Sequence, residues 1–418
     1  MKSVSDLAKW MGSPRFAHIK RSYTAKDVWQ LRPAIPTQYP SATLSSGLYE
    51  CLRGHQSRGT ATRTFGCLDP VQLTQMLPEF ETIYVSGWQC SSTAASNMEV
   101  GPDFADYPYD TVPNKVRQLY KAMEFHVTKA RLAGQVLPMR YLIGDGDTGH
   151  GGVTSTMKMT KMFLESGSAG VHLEDQRTGA KKCGHLGGKV LVSVGEQVTR
   201  LMSARLQADL MGAGLVLIAR TDAESAEYID SDVDPRDREF IVDSGRTEEG
   251  YYRVRSGLDY SVARACHFAP YADLIWFETS RPDLDQAREF ARRVKAKCPG
   301  TMLAYNLSPS FNWLKSGLTE AQIFDFIEQL GRYGYCWQFM TLAGLHLNGL
   351  ASFRFCRDYR SLGVLGYVKG IQRQEEALGV STWKHQTWSG VDVSDRYLSL
   401  ISKSSILANS ARSTEKQF

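Results

Sequence analysis

A cysteine among basic residues in a glycine-rich segment has the clearest chemical meaning in this sequence. Lys181–Lys189 (KKCGHLGGK) places Cys183 close to Lys181, Lys182 and His185. Nearby cations favour the thiolate, and a thiol tuned in this way acts as an acid–base group or a nucleophile. The glycines give the segment the mobility that a closing lid needs. The alternative is an exposed basic loop with an incidental cysteine, and we favour the functional interpretation.

Three carboxylates form a second candidate group. Asp145 and Asp147 lie two positions apart in the glycine-rich segment Gly144–Gly152 (GDGDTGHGG), and Glu174 ends the run GVHLE. Hard oxygen ligands at neighbouring strand ends suit Mg²⁺, which keeps several waters and takes few carboxylates. Asp–Gly pairs are also common in solvated turns. The position of Glu174 at a neighbouring strand end favours the metal site.

Other polar residues that follow apolar runs have two interpretations each. The amide and hydroxyls of Asn306–Ser310 (NLSPS) suit the orientation of carboxylates, and Arg220 can bind a carboxylate through two parallel hydrogen bonds. Loop capping and a surface ion pair explain these residues equally well. His150 and His172 are candidate acid–base groups, and a structural histidine is an equal alternative for both.

The elements that must position these residues are short runs rich in apolar and β-branched residues. Helical patterns alternate with them, as in Val198–Met211 and Leu284–Val294, and this alternation predicts a parallel sheet. With an eighth, weaker strand expected within 90–125, the pattern predicts an α/β fold, a (β/α)8 TIM-type barrel with N-terminal and C-terminal helical additions. The seven clear strands are Thr82–Ser86, Tyr141–Asp145, Gly170–Glu174, Leu215–Arg220, Asp273–Glu278, Met302–Asn306 and Trp337–Thr341.

Each of these seven runs ends in a polar residue. In such barrels the catalytic groups lie at the C-terminal ends of the strands. Three acids, an arginine and an asparagine among seven ends are hard to explain as random turn residues. We therefore expect the site to be built from these ends, which are Ser86, Asp145, Glu174, Arg220, Glu278, Asn306 and Thr341.

Three regions are predicted along the chain. Residues 1–65 form an N-terminal helical segment, residues 66–345 the catalytic barrel, and residues 346–418 a C-terminal helical segment. The stretch 228–250 is predicted to be a polar insertion at the surface, because its many charges cannot be buried cheaply.

Composition and charge restrict the classes of function. Of 418 residues, 42% are apolar and 22% are charged, which is typical of a globular protein and not of a disordered chain. No apolar run approaches the ~20 residues of a membrane-spanning helix. Residues 1–32 carry the whole net charge of +5 and are predicted to be a solvated arm rather than a transit peptide. The neutral remainder argues against nucleic-acid binding. Eight scattered cysteines without a CxxC pair predict free thiols in a reducing compartment and no zinc site.

Several motifs of the chain resemble the isocitrate lyase family. Lys181–His185 (KKCGH) is preceded by Val171–Gln176 (VHLEDQ) and followed by Ile218–Asp222 (IARTD). SSTAAS, DTGHGG and EGYYR are similar to the eukaryotic, especially fungal, branch, whose long helical insertion is reduced in this chain to 228–250. The resemblance runs from about Tyr23 to the C-terminus. It includes Tyr84–Gln89 (YVSGWQ), Ala304–Trp313 (AYNLSPSFNW), Gln338–His346 (QFMTLAGLH) and His385–Gly390 (HQTWSG).

The resemblance implies a lyase of the glyoxylate cycle with a divalent ion. Such an enzyme cleaves isocitrate to glyoxylate and succinate by a Mg²⁺-dependent retro-aldol reaction, with Mn²⁺ as an alternative ion. Asp145, Asp147 and Glu174 would surround the ion, mainly through water, with Asp103 in an outer position.

The resemblance also implies roles for the remaining site residues. Cleavage leaves a carbanion beside a carboxylate, so a cationic environment must stabilise the charge and an acid must protonate the carbon. Cys183 would supply that proton, with His185 beside it, and Tyr84 would handle the proton of the substrate hydroxyl. The implied substrate-binding residues are Ser86, Gly87 and Trp88 for the glyoxylate part, Asn306, Ser308, Ser310 and Thr341 for the succinate part, and Gly184, Arg220 and Glu278.

Departures from the family pattern leave the substrate open. Ser193 stands where proline is expected, Met340 replaces isoleucine, and Lys369 replaces glutamate. The alternative activity is that of 2-methylisocitrate lyase, which gives pyruvate and succinate, or of a paralogue acting on another alkyl-substituted isocitrate. A pocket distinguishes one methyl group by only ~1–3 kcal/mol. The complete catalytic set disfavours an inactive lyase-like subunit.

Assembly and location follow from the same resemblance. It implies a homotetramer in which residues 346–418 pack on a neighbouring subunit, and a small tricarboxylate substrate as the other partner, with no nucleic acid and no membrane. The C-terminal sequence EKQF is not an SKL-type peroxisomal signal, and the early start of the family match leaves little room for a presequence. The cytoplasm and the peroxisome or glyoxysome are therefore favoured over the mitochondrion.

Overall fold

The main sheet is built from short strands that are buried on both faces. The computed structural model describes residues 1–95, 99–402, 409–410 and 413–417. Every residue of five of its eight parallel strands is buried, as expected for strands covered by helices on one side and packed on the other. In chain order the strands are β1 Thr62–Phe65, β2 Thr82–Val85, β3 Tyr141–Asp145, β4 Gly170–Glu174, β5 Val216–Thr221, β6 Leu274–Phe277, β7 Met302–Asn306 and β8 Tyr335–Met340.

Consecutive strands are neighbours around this sheet, and β8 pairs with β1. The remaining gap, between β1 and β2, is spanned by a parallel bridge between Gly66 and Tyr84. There the Cys67 N–H donates to the Tyr84 carbonyl oxygen at 2.9 Å. Parallel strands in consecutive order, joined by helices and closed in this way, form a (β/α)8 barrel. The predicted fold class is confirmed.

The eighth strand does not lie where the sequence predicted it. Residues 90–125 hold parts of the helices Gly87–Thr93 and Thr111–Leu132, and the strand that completes the barrel is β1. Its sequence, TRTF, alternates buried threonines with the exposed Arg63, so it lacks the apolar run that marks the other strands. The barrel sheet therefore begins before residue 66. The other seven strands lie within two residues of their predicted positions.

Helices connect the strands and extend the chain at both ends. Ser193, found where the family pattern has proline, is an N-cap, because its side chain accepts the Glu196 N–H at the start of one helix. Among the described residues, no helix is both long and apolar enough to cross a membrane. The α-helices are Val4–Met11, Ala25–Leu31, Pro40–Arg58, Pro70–Met76, Gly87–Thr93, Thr111–Leu132, Val153–Glu165, Val194–Met211, Leu258–Phe268, Leu284–Lys297, Glu320–Tyr333, Ala343–Leu362, Val364–Tyr367, Arg373–Leu378, His385–Trp388 and Val391–Ser402, with a π-helical turn at Val368–Gln372. Single 3₁₀ turns lie at Pro14–Phe16, Arg238–Phe240, Ala269–Tyr271, Trp313–Lys315, Ser381–Trp383 and Thr414–Gln417.

The stretch 228–250 is only in part the surface insertion that its charges suggested, since exposed residues alternate in it with buried ones. Asp237 is fully buried and accepts hydrogen bonds from Arg264 and from the Tyr260 hydroxyl, both at 2.7 Å. A carboxylate can be buried when a paired arginine offsets the free-energy cost of its desolvation, and the sequence does not show that pairing. The stretch contributes two strands to a second, four-stranded sheet, made of Val190–Leu191, Tyr228–Ile229, Ile241–Arg246 and Tyr252–Val254.

The arginines among the basic N-terminal residues are anchored in the fold, whereas Lys2, Lys9, Lys20 and Lys26 are exposed. Leu7 is fully buried on the first helix. Arg15 pairs with Asp273 at 2.5 Å, and Arg21 pairs with Asp209 at 2.7 Å. Both carboxylates are buried, so the two arginines neutralise charges inside the protein. The prediction of a solvated arm was wrong for this reason.

The chain divides into two compact units. One contains the barrel and consists of residues 1–68, 80–120 and 140–343, and the other consists of residues 69–79, 121–139 and 344–418. Within the second unit, the indole N–H of Trp388 donates to Thr74 Oγ1 at 3.1 Å. The second unit also exposes several large apolar side chains, including Leu347, Leu350, Phe353, Tyr359 and Leu362.

Candidate active site

The C-terminal ends of the barrel strands surround a narrow cavity, whose empty space together with its open mouth is about 370 Å³. Trp276 and Leu342 complete its wall. A larger groove of about 1360 Å³ in the second unit has no carboxylate among its described lining residues, so the chemistry assigns the site to the barrel. Fourteen of the seventeen residues predicted for the site line the barrel cavity: Tyr84, Ser86, Trp88, Asp103, Asp145, Cys183, Gly184, His185, Arg220, Glu278, Asn306, Ser308, Ser310 and Thr341. The other three, Gly87, Asp147 and Glu174, contact residues of the wall or the Lys181 ammonium group.

Asp145, the last residue of β3, is held by three donors. Its Oδ2 accepts the Gly87 N–H at 2.9 Å and the Tyr84 hydroxyl at 3.3 Å, and its Oδ1 accepts the Asp147 N–H at 3.0 Å. A Cβ at Gly87 would lie 2.6 Å from the Tyr107 hydroxyl oxygen and 2.7 Å from Asp145 Oδ2. Only glycine permits this close approach, so the backbone itself positions the carboxylate.

The ammonium group of Lys181 lies among three carboxylates. Its Nζ is 2.6 Å from Asp103 Oδ1, 2.9 Å from Asp147 Oδ1 and 3.9 Å from Glu174 Oε1. The lysine side chain is only 1% exposed. Asp147 is also 3.2 Å from His150 Nε2. Lys181 therefore ties its loop to the carboxylate cluster.

These carboxylates carry more negative charge than their neighbours neutralise. Burial, with repulsion between the acids, raises the pKa of Asp103 to about 7, that of Asp145 to about 6, and that of Glu174 well above its ordinary value. Burial also disfavours ionisation of Asp147, but Lys181, His150 and Tyr107 together outweigh it and hold the pKa of Asp147 far below the ordinary value. Neither oxygen of Glu174 has a hydrogen-bond partner among the described residues. A cation would supply the missing positive charge.

The donor set fits a hard divalent ion held partly through water. All the candidate ligands are carboxylate oxygens, which Mg²⁺ prefers. Among the described residues, no three of these carboxylates bring ligand atoms within 4.8 Å of one another. Waters would therefore complete the coordination. The four described non-glycine residues with positive φ, Asp103, Ala105, Asp147 and His150, belong to these segments, so the backbone is strained where the carboxylates converge.

Arg220 is fixed between protein carboxylates near the end of β5. Its Nε and one Nη each donate to an oxygen of Asp222 at 2.9 Å, and the other Nη lies 3.2 Å from Glu174 Oε2. The guanidinium carbon is 4.6 Å from the ring centroid of Trp276. Lys189 Nζ also binds Asp222, at 3.0 Å. These contacts place a preorganised cation at the cavity wall.

The loop that carries Cys183 is held at both of its ends. The side-chain amide of Gln176 accepts the Lys182 N–H at 3.0 Å and donates to the Lys182 carbonyl at 2.8 Å. Further along, the Lys189 ammonium group donates to the carbonyl oxygen of Gly184 at 2.8 Å. The thiol between these points lines the cavity.

Gly184 brings the loop backbone into contact with the cavity wall. A Cβ at this position would lie 2.6 Å from an Nη of Arg220 and 2.7 Å from Glu278 Oε1. His185, the next residue, has its Nε2 3.6 Å from the same Glu278 oxygen. A side chain at residue 184 would therefore force the loop away from the wall.

The Cys183 thiol is protonated, contrary to the expectation that nearby cations favour the thiolate. Burial and the Asp103 carboxylate raise the pKa of Cys183 to about 11. The basic residues of the loop lower it too little, because their charges have other partners: Lys181 binds carboxylates, and the Lys182 ammonium group donates to the Gly188 carbonyl at 3.0 Å. A protonated thiol is the form that can donate a proton to carbon.

Amide and hydroxyl groups follow β7. Asn306 Nδ2 donates to Glu278 Oε1 at 3.2 Å, and the Ser310 N–H donates to Ser308 Oγ at 3.1 Å. Asn306 Oδ1 and Glu278 Oε2 are buried without a hydrogen-bond partner in the part of the chain that the structure describes. With Thr341, these groups present hydroxyl and amide donors of the kind that orient a carboxylate.

Tyr84 belongs to a buried hydrogen-bonded group. Its hydroxyl lies 3.0 Å from His172 Nε2 and 3.3 Å from Asp145 Oδ2. Burial, with the Asp145 charge, raises the pKa of Tyr84 well above its ordinary value, so the phenol keeps its proton. Burial lowers the pKa of His172 to about 3 and keeps that ring neutral.

Sequence reasoning missed several residues that act through these groups. Tyr107, whose hydroxyl donates to Asp147, follows no pattern that would mark it. Trp276 lies within an apolar strand and looks like an ordinary core residue. Asp222 had a signal, because residues two apart on a strand share a face, and Arg220 and Asp222 are two apart.

Comparisons with known proteins identify the family of this chain. The model of the isocitrate lyase family matches residues 3–248 and 242–418. The chain is 40% identical to the isocitrate lyase of Oryza sativa subsp. japonica over 530 aligned positions, which cover 99% of this chain and 93% of the relative. It is 35% identical to the mitochondrial 2-methylisocitrate lyase of Hypocrea atroviridis, again over 99% and 93%. The rice alignment is longer than this chain of 418 residues, and the two matched parts meet within 228–250, where the resemblance placed a shortened insertion.

A solved structure supports the same fold. The crystal structure of 2,3-dimethylmalate lyase, a member of the PEP mutase/isocitrate lyase superfamily, superposes with a TM-score of 0.57 and 21% identity, covering 88% of this chain and 96% of that one. Identity this low supports the fold alone. The family follows from the sequence match over nearly the whole length: the chain belongs to the isocitrate lyase family and is a lyase.

Proposed function

We propose that this protein cleaves isocitrate to glyoxylate and succinate. Its identity with a plant isocitrate lyase over nearly the full length supports the proposal. The observation that carries it is a single cavity that joins a protonated thiol, Cys183, to the Arg220 cation and to the carboxylate Asp145. A retro-aldol cleavage needs an acid for the carbon, a cation for the developing charge and a place for the oxygens of the hydroxy acid.

Each proton of this reaction has a proposed carrier. Cleavage turns the substrate hydroxyl into the carbonyl of glyoxylate and leaves an electron pair on the succinate carbon, conjugated with a carboxylate. The Cys183 Sγ–H donates its proton to that carbon, while Arg220 and His185 stabilise the negative charge. Solvent returns a proton to the Cys183 thiolate after the products leave.

Tyr84 is proposed to move the proton of the substrate hydroxyl. A phenol with a raised pKa is a poor base, but it can act as a relay. As Tyr84 Oη accepts the substrate proton, its own proton passes to Asp145 Oδ2, whose carboxylate has a pKa of about 6 and lies within hydrogen-bond distance. The Gly87 N–H keeps this carboxylate oriented.

The proposed cofactor is Mg²⁺, with Mn²⁺ as an alternative. Asp145, Asp147 and Glu174 would hold the ion, mainly through water, with Asp103 further out. When bound, the ion stabilises negative charge on the hydroxyl, carboxylate and developing carbonyl oxygens of the substrate. The raised pKa values of the buried acids support a cation at this position.

A second candidate substrate is 2-methylisocitrate, which would give pyruvate and succinate. The 35% identity with a 2-methylisocitrate lyase over 99% of this chain supports it. The deciding experiment supplies Mg²⁺ with threo-isocitrate, 2-methylisocitrate or longer alkyl analogues and measures the released 2-oxo acid with phenylhydrazine. We expect kcat/KM to be highest for isocitrate. A higher kcat/KM for an alkylated substrate would reassign the activity, and no release from any of them would contradict a lyase of this class.

We also propose a homotetramer in which the C-terminal segment, residues 346–418, packs on neighbouring subunits. The exposed apolar side chains of this region support such packing, since a monomer would leave them in water. Light scattering should give four times the chain mass of 46.7 kDa. A stable and active monomer would contradict the proposal. The proposed location is the cytoplasm or the peroxisome or glyoxysome.

A further inference from the structure

A cysteine, a histidine and a glutamate converge far from the strand ends that form the active site. Cys51 and His55 lie on the helix Pro40–Arg58, and Glu81 immediately precedes β2, at the N-terminal side of the barrel. One ligand atom of each lies within 4.8 Å of the other two, which makes this the one such group of three found among the described residues. We propose that these three side chains bind a divalent transition-metal ion, with Zn²⁺ as the best match.

The backbone brings the three side chains to one place. Residues four apart on a helix share a face, so Cys51 and His55 point in the same direction. Glu81 is fixed by the sheet, because its carbonyl oxygen accepts the Tyr141 N–H at 3.1 Å. The His55 side chain is 12% exposed and that of Glu81 is 45% exposed, so an ion can enter from solvent.

The polar partners of His55 hold its ring between Thr60 and Glu81. Nδ1 lies 2.9 Å from Thr60 Oγ1, and Nε2 lies 2.7 Å from Glu81 Oε2. When Nδ1–H donates to Thr60, the Nε2 lone pair is available to a metal ion, whereas in the other tautomer Nε2–H donates to Glu81, so an ion would replace that hydrogen bond. A histidine held by a polar partner through its second nitrogen is the usual arrangement at metal sites.

The distance between His55 and Glu81 permits an ion after a small movement, and the Cys51 sulfur lies within 4.8 Å of both. Nitrogen and oxygen ligands ~2.0 Å from a tetrahedral ion lie ~3.3 Å from each other. The half-exposed Glu81 side chain would therefore move by about 0.6 Å from its present 2.7 Å contact. The ion would displace the thiol proton of Cys51 to solvent, after which a thiolate, a neutral imidazole and a carboxylate provide two negative charges for a dication and water can take the fourth position.

The ligand types separate this site from the carboxylate cluster of the barrel cavity. Sulfur and nitrogen ligands select zinc-like ions, whereas Mg²⁺ prefers oxygen alone. No zinc site was expected from the sequence, because only the spacing of cysteine and histidine residues was available as a guide. The third ligand is a glutamate 26 residues beyond His55, which such spacing does not reveal. The ion would join the helix to the start of β2 and stabilise that side of the barrel.

A cobalt titration tests the proposal. Metal-free protein carrying Cys183→Ser, so that the thiol of the cavity cannot contribute, is titrated with Co²⁺ and then with Zn²⁺. We expect one equivalent of Co²⁺ to give thiolate-to-cobalt charge transfer and tetrahedral d–d absorption, and Zn²⁺ to remove both. Adding Cys51→Ser should abolish the charge transfer. Adding Thr60→Val should weaken binding by ~10–100-fold, as loss of a supporting hydrogen bond does at metal sites.

The matched control is Cys356→Ser, which removes an exposed cysteine elsewhere and should leave the spectrum unchanged. Zn²⁺ should also raise the thermal midpoint of the Cys183→Ser protein but not that of the Cys51→Ser/Cys183→Ser protein. Absence of charge transfer, or its persistence without Cys51, would overturn the proposal and leave His55 and Glu81 as an ion pair. Circular dichroism of each variant before titration shows that a lost signal reflects a lost ligand and not a lost fold.

Discussion

One carbon atom added at Gly184 should lower the catalytic rate without lowering the stability of the fold. A Cβ there would lie 2.6 Å from an Nη of Arg220 and 2.7 Å from Glu278 Oε1. Both groups are held in place, Arg220 by Asp222 and Glu278 by Asn306, so the loop must move and not the wall. To reach ordinary van der Waals contact at 3.4 Å, the nearer contact must lengthen by about 0.8 Å.

The size of the effect follows from this displacement. Gly184→Ala carries the adjacent Cys183 with it, and a displacement of about 1 Å at a reacting group lowers a rate by about 10²-fold. That factor corresponds to ~2.7 kcal/mol of activation free energy. Residue 184 is not among those with positive φ, so alanine adds no backbone strain there. The thermal midpoint should therefore change little while kcat falls.

Gly187→Ala is the matched control in the same loop. A Cβ at Gly187 meets Glu227 Oε1 at 3.4 Å, which is an ordinary contact. The assay measures kcat and KM for 2-oxo acid release, with the thermal midpoint recorded for each variant. We expect kcat of Gly187→Ala to stay within about twofold of the wild-type value. If Gly184→Ala retained kcat within about threefold, the close approach of this loop would not position the acid.

Four further outcomes test the same structure. Cys183→Ser should bind substrate but lose most turnover, and near-normal turnover would remove Cys183 from the acid role. Because the Cys183 thiol has a pKa of about 11, the part of the thiol reactivity that this variant removes should not titrate near the ordinary ~8.5, and a titration there would contradict the raised pKa. Asp145→Ala should abolish Mg²⁺-dependent activity with the fold intact, whereas full activity of EDTA-treated wild type would contradict the metal site. Asp273→Asn removes the charge that pairs with the partly buried Arg15 and with the fully buried Arg205, so urea unfolding should show a loss of about 3–5 kcal/mol; a loss below about 1 kcal/mol would contradict this. Hydrogen exchange of residues 179–189 should slow when a succinate-like and a glyoxylate-like anion bind together, and equal protection in both states would exclude a lid.

Most of the barrel could be predicted because its strands are buried on both sides and therefore read as apolar runs. The first strand could not, since TRTF offers two buried threonines and the exposed Arg63 in place of such a run. The errors at the N-terminus and at 228–250 have one cause. Arg15 and its partner Asp273 are 258 residues apart, Asp237 and its partner Arg264 are 27 residues apart, and no local pattern reveals that a charge has a partner elsewhere in the chain.

The same limit applies to the site. The residues that line the cavity could be predicted from the strand ends and from the resemblance, because both depend only on residue type and position in the sequence. The prediction of a thiolate at Cys183 was wrong, because the lysines that are near it in the sequence do not show which carboxylates they bind. Lys181 is engaged by Asp103 and Asp147, so it cannot favour a thiolate as a free cation would.

The ion pairs of Lys181 couple the position of its loop to the net charge of the site. Lys181 is the only ammonium group among the described residues within 4 Å of Asp103, Asp147 and Glu174, and it is carried by the loop that holds Cys183. A divalent ion beside these carboxylates would share the negative charge that now holds the lysine. An anionic substrate would restore that charge when it enters. The position of Cys183 would therefore depend on the same charges that bind the substrate. We expect the loop to close most tightly when the divalent ion and the anionic substrate are both present.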